Sequence, residues 1–90
     1  MQEYIADTAL GLVKTRLNKL ASDRTMDEYL ILRIQAAAGK LQSSGITLTD
    51  SAEDLMLVVD LAVWQYQNRD SREAMPQWMR DRLRERWMRA

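Results

Sequence analysis

The chain has 90 residues, enough for one domain, and its 13 lysines and arginines balance 13 aspartates and glutamates. It contains neither cysteine nor histidine, which excludes disulfides, thiolate or imidazole metal sites and every nucleophile–histidine pair. No side chain has an ordinary pKa near neutrality, and a carboxylate pair would need a pocket that leaves little chain to build it, so no enzymatic activity, metal or cofactor is expected.

A domain of this size buries about 60–65% of its unfolded surface, so its stability margin is thin. Partner subunits are the remaining source of extra buried area. The charge is unevenly placed. Residues 1–68 carry six basic and nine acidic side chains, net −3, and residues 69–90 carry seven arginines and four acids, net +3. An acidic body and an arginine-rich end suit contact between copies or with an acidic partner. Met1-Gln2-Glu3-Tyr4 is acidic and polar, so no signal peptide is expected. The most apolar stretch, ten residues from Leu55 to Trp64, contains Asp60 and is too short to span a bilayer. The expectation is a soluble protein made in a cytoplasm, without membrane contact.

Helical spacing occurs four times and strand alternation is absent, which predicts an all-α fold: a small bundle of four helices in a single domain. In the first helix, expected at about 7–21, Leu10, Val13, Leu17 and Leu20 form one face and Asp7 or Thr8 is the N-cap. The second, at about 26–43, starts with Thr25-Met26-Asp27-Glu28, which reads as a capping box with Thr25 as N-cap. Leu30, Ile34, Ala37 and Leu41 make its stripe. The small run Ala36-Ala37-Ala38-Gly39 invites close approach by a neighbour, and Gly45 is placed to end the helix in the left-handed conformation.

Asp50 or Ser51 caps a third helix at about 51–67, with Glu53 and Asp54 in its first turn. This helix is apolar nearly all round, so it is expected at the centre of the bundle with Trp64 in the core. A polar loop, 68–75, is expected to be mobile. Pro76 takes the first helical position of a fourth helix at about 76–88, whose stripe is Met79, Leu83 and Trp87.

The fourth helix holds the candidate binding residues, Trp78, Arg80, Arg82, Arg84, Arg86 and Trp87, because tryptophan and arginine together mark interface hot spots. Three readings stay open for its arginines: docking to an acidic protein surface, phosphate contacts to nucleic acid, and a solvated face on which Asp81 and Glu85 supply intrahelical pairs. Overall neutrality weighs against a dedicated nucleic-acid binder. Asp60, the lone charge in the apolar run, is expected to pair with an arginine or to lie at the edge of the buried face. The methionines are expected mainly to fill gaps in the core.

The order of these features resembles the small head–tail connector proteins of tailed phages and prophages, also filed as DNA-packaging proteins. The parts that carry the resemblance are Val13-Lys14-Thr15-Arg16-Leu17, the acidic helix start Asp27-Glu28-Tyr29-Leu30, Gly45-Ile46 with its Leu-Thr-Asp connector, Trp64-Gln65-Tyr66-Gln67-Asn68-Arg69, and Met75-Pro76-Gln77-Trp78 with the arginine-rich end. The resemblance implies a helical adaptor at the virion head–tail junction, assembled in the bacterial host cytoplasm. Its subunits would form a ring on the portal protein, extend the DNA channel with DNA only as transient contents, and offer a docking surface to the next connector or tail protein. The segment from Trp78 to Trp87 would reach onto the portal. The isolated protein would be a monomer or a weak oligomer. The alternative reading is a small nucleic-acid-binding regulator that uses the arginine-rich C-terminal helix.

Overall fold

The computed structural model describes residues 3–70 and 74–89. It contains four helices, α1 (Glu3–Arg16), α2 (Asp27–Ser43), α3 (Ala52–Gln67) and α4 (Gln77–Met88), and no strand among the described residues. The fold is all-α, as the spacing predicts. α3 is the central element: it packs against α1, α2 and α4, whereas α4 packs against α3 alone among the helices. Residues 71–73 of the expected mobile loop lie outside the described residues.

α1 begins before Asp7 and Thr8, so neither is its N-cap, and it ends five residues short of the expected boundary. The stop is Asn18, which adopts φ 61°. The Lys19 amide donates to the Lys14 carbonyl and the Asn18 amide to that of Thr15, the bond pair of a left-handed C-terminal cap. Asparagine is among the few non-glycine residues at ease in that region. The chain therefore turns away before Leu20, which is 73% exposed instead of completing the stripe. Ala9 and Val13 fill the core from this helix, and Leu10 and Leu17 pack beside them.

The capping box at Thr25 does not form. The N-cap of α2 is Met26, without a side-chain cap bond. Thr25 is held instead by Asp23, whose Oδ1 accepts from both the Thr25 amide (3.1 Å) and its hydroxyl (2.7 Å). Such a local turn competes directly with capping for the same side chain. Asp27 and Glu28 do occupy the first turn, where they suit the helix dipole. At the other end Gly45 takes φ 101°, and Ile46 donates back to Leu41 in the same closing pattern as at Asn18. A Cβ at Gly45 would also lie 2.9 Å from Trp87 Nε1, so this glycine both closes α2 and seats the indole. Of the small residues, Ala37 and Ala38 are buried and Ala36 and Gly39 face outward.

Ser51 is the cap of α3; its hydroxyl accepts from the Asp54 amide at 3.2 Å. Leu57, Val58, Val59, Leu61, Ala62 and Val63 are buried, which is why the run is apolar on several sides. They meet Leu30, Ile34 and Leu41 of α2 in one core. Trp64 is half-buried at its margin. α4 starts one residue later than expected, with Pro76 as its N-cap. Its Met79 is fully buried and Leu83 half-buried, but Trp87 is 56% exposed and rides over Gly45 at the edge. Of the other methionines, Met26 and Met75 pack beside the core, whereas Met88 is 71% exposed.

Candidate partner-binding surface on the fourth helix

Few apolar side chains hold α4 in place, and charge supplies most of the remaining contact. Arg82, Arg86 and Arg89 lie at spacings of four and three, so they share one face of the helix. That face points at α3, where Asp60, Asp54 and Glu53 answer in antiparallel order.

Asp54 is the centre of this arrangement, with only 2% of its surface exposed. Arg86 approaches it with two nitrogens, Nε at 2.7 Å from Oδ1 and Nη2 at 3.1 Å from Oδ2. The Thr49 amide (2.7 Å) and hydroxyl (2.8 Å) also donate to Oδ2. Arg86 Nη2 donates in addition to the Thr47 carbonyl at 2.7 Å, tying α4 to the connector before α3. Such planar two-point pairing is the geometry at which arginine surpasses lysine. The Arg86 guanidinium, and then the Thr49 donors, hold the Asp54 carboxyl at about 2, below its ordinary 3.8, against the opposing effect of burial. Arg89 likewise lowers the Glu53 carboxyl, at a surface position.

Asp60 is the pair-forming acid that its isolation in an apolar run suggests. Arg16 from the end of α1 bonds Oδ1 at 2.5 Å and Arg82 from α4 bonds Oδ2, so one carboxylate joins three helices. On the opposite side Lys14 is 4% exposed; it reaches Asp27 at 2.8 Å and the Ala21 carbonyl at 3.0 Å, and so fixes the α1–α2 turn.

The six candidate residues on α4 therefore divide. Arg82 and Arg86 turn inward to carboxylates of α3. Arg80 is exposed, with its Nε on the Met75 carbonyl, and Arg84 is exposed beside Trp87. Trp78 is 51% exposed and Trp87 56% exposed. Trp87, Leu83, Ile46, Ser44 and Arg84 line an open groove of about 260 Å3. The solvated-face reading, in which Asp81 and Glu85 pair along the helix, does not describe the arginines at 82, 86 and 89, whose partners are on α3. Asp81 instead accepts from Gln77 at 2.7 Å. The arrangement offers large apolar side chains rimmed by a few cations, suited to gripping another protein surface. Among the described residues no cluster of acids is placed to hold a metal ion, and no helix is long and apolar enough to cross a membrane.

The role of Asp54 is absent from the sequence reading, which treats it as a first-turn acid. A signal was present: Glu53 and Asp60 are seven residues apart on one helix, and Arg82 and Arg89 are seven apart on the other.

One pH dependence follows from Asp54. Its carboxyl is held below the unfolded value, so the unfolded chain takes up the proton first as pH falls. The stabilisation is fully present above about pH 4 and is lost as pH drops toward 2; it amounts to about 2 kcal/mol. Urea titrations at pH 5 and pH 2.5 should show this difference, and it should shrink in Asp54→Asn.

Compared with protein-family models, curated proteins and solved structures, the chain matches none.

Proposed function

We propose that this chain is a non-enzymatic structural adaptor of a tailed phage or prophage, one subunit of a ring that sits on the portal protein, links head to tail and extends the DNA channel. The observation that carries this reading is the pair of half-exposed tryptophans, Trp78 and Trp87, on a helix whose inner arginines are anchored to the body. Anchoring gives the helix a fixed pose, so its outer residues meet a partner without a large ordering cost. The segment from Trp78 to Trp87 is also the one that the family resemblance implies would reach onto the portal. The next connector or tail protein would dock on the assembled ring, DNA would only pass through it, and assembly would take place in the host cytoplasm.

Mixing the purified protein with its portal and imaging the complex by electron microscopy tests the proposal. An added ring under the portal is expected, and its absence in every condition tried would refute the reading. Trp87→Ala should weaken portal binding roughly 30-fold or more, the loss of a hot spot worth about 2 kcal/mol. Trp87 also packs its buried half over Gly45, so a circular-dichroism melt should show the variant folded at the assay temperature. The isolated protein should remain a monomer or weak oligomer by light scattering.

The regulator alternative draws less support. Three of the arginines it would use, at 82, 86 and 89, are already paired with acids. Nucleic-acid binding that falls steeply with salt, and is lost in the Arg80→Ala, Arg84→Ala double variant, which leaves the Asp54–Arg86 pair intact, would favour that alternative instead.

A further inference from the structure

A ring requires two different surfaces on each subunit that fit one another. Two such surfaces are present, one where α2 meets α3 and one on α4. The first is the seam where α2 meets α3. Tyr29 and Tyr66 meet edge to face there, with ring centroids 6.0 Å apart. Arg33 lies 5.5 Å from the centre of the Tyr29 ring and Arg69 lies 4.3 Å from that of Tyr66. Beside them on α2 is Leu32, 59% exposed, and together with Ala36 it walls a shallow groove. These two arginines differ from those of α4 in what they touch. Arg33 donates to the Tyr29 hydroxyl and Arg69 to the Tyr66 carbonyl, and among the described residues neither is in an ion pair. Arg33 Nε is buried without an acceptor. The groove lies on α2, between Tyr29, Leu32, Arg33 and Ala36, and adjoins a seam with two arginines that are in no ion pair among the described residues.

The second surface is one edge of α4. Trp78, Asp81 and Glu85 fall at spacings of three and four, a single row on α4 whose Glu85 end borders the pocket that Glu53 and Leu57 of α3 form with Arg89. Trp78 is 51% exposed and both acids are exposed. Among the described residues neither acid is in an ion pair, and Asp81 keeps one oxygen beyond its bond from Gln77. The row therefore presents one large apolar side chain and two carboxylates about one helical turn, roughly 6 Å, apart.

We infer that the Trp78–Asp81–Glu85 row of one copy docks on the Tyr29–Arg33–Tyr66–Arg69 seam of the next. Trp78 enters the groove at Leu32 and Ala36, and the two carboxylates meet Arg33 and Arg69. The contact is head-to-tail, because the row and the seam are different surfaces of one chain. This deepens the adaptor reading by naming the joint between neighbours, and it rests on that reading only for closure into a ring. Protein is favoured over nucleic acid as the occupant, because exposed Leu32 offers nothing to a phosphate and the chain's own exposed acids supply the complement.

Sedimentation equilibrium at low ionic strength, with the protein alone at concentrations up to the millimolar range, tests the inference. The unmodified chain should associate as its concentration rises, and the association should fall at least tenfold in 0.5 M salt. The R33E/R69E and D81R/E85R variants should each remain monomeric where the unmodified chain associates. An equimolar mixture of the two should regain association, because the intact row of one variant meets the intact seam of the other and the reversed row and reversed seam are again opposite in charge. Far-UV circular dichroism checks that each variant is folded, and the milder R33Q/R69Q and D81N/E85Q pairs should weaken association at least threefold. A chain that stays monomeric throughout, variants that associate as well as the unmodified protein, or a mixture that gives no dimer would each overturn the inference. So would binding of a single-stranded oligonucleotide that R33E/R69E abolishes while self-association persists. No arm uses the portal, so a portal that captures no ring would refute the adaptor reading and leave this joint standing.

Discussion

Replacing Asp54 by alanine is expected to lower stability by about 3–5 kcal/mol, the cost of removing one partner from a buried ion pair. For a chain of this length each kcal/mol shifts Tm by about 4–8 °C, so the loss is expected to exceed about 12 °C in a thermal melt followed by circular dichroism. The size of the effect comes from how much Asp54 organises. Arg86 and the amide and hydroxyl of Thr49 all converge on this one carboxylate, which is 2% exposed. Without it the Arg86 guanidinium, itself 12% exposed, keeps the Thr47 carbonyl as its remaining hydrogen-bond acceptor among the described residues. The same change at Asp60 is expected to cost less, although two arginines meet there. The side chains of Arg16 and Arg82 are 44% and 37% exposed, so water can take over from the lost carboxylate. A melt in which Asp60→Ala proves worse than Asp54→Ala would show that burial does not set the order.

Leu61→Ala is expected to cost about 2–5 kcal/mol, the range for truncating a buried leucine in a core that cannot collapse around the gap. Leu61 has no exposed surface and sits in the middle of α3, the helix that α1, α2 and α4 all pack against. Total stability for 90 residues is on the order of 5–13 kcal/mol, so this variant would retain only part of it. Urea titration should show a lower midpoint with an unchanged slope. Leu32→Ala is the matched control: Leu32 is 59% exposed and its truncation should change stability by about 0.5 kcal/mol or less.

Much of the fold is legible in the chain, for reasons that differ from helix to helix. α3 is apolar on several sides because it has neighbours on several sides. The stripe Leu30, Ile34, Ala37 and Leu41 is buried because a helix repeats its facing side chains every three to four residues. Gly45 and Ser51 act through their own backbone and hydroxyl, so local sequence suffices to place them. The misplacements occur where two local arrangements compete. Leu17 and Leu20 continue the periodicity of α1, but Asn18 in the left-handed region ends the helix first. Thr25 has the spacing of a cap, yet Asp23 lies two residues away and captures its hydroxyl. The candidate surface is harder to read because arginines look alike in sequence. Which of them turn inward depends on the phase of α4 against α3, a tertiary fact. Trp78, Arg80, Arg84 and Trp87 are left facing solvent by the same phase that sends Arg82 and Arg86 to their acids.

The 32 residues that separate Asp54 from Arg86 have a consequence for folding. The pair closes only when α3 and α4 are both formed and docked, so it adds to the cooperativity of the whole fold and not to either helix alone. An opening of α4 leaves the face of α3 that receives Met79 and Leu83 bare and Asp54 and Glu53 without a guanidinium, an acidic strip that the α4 of another copy can cover.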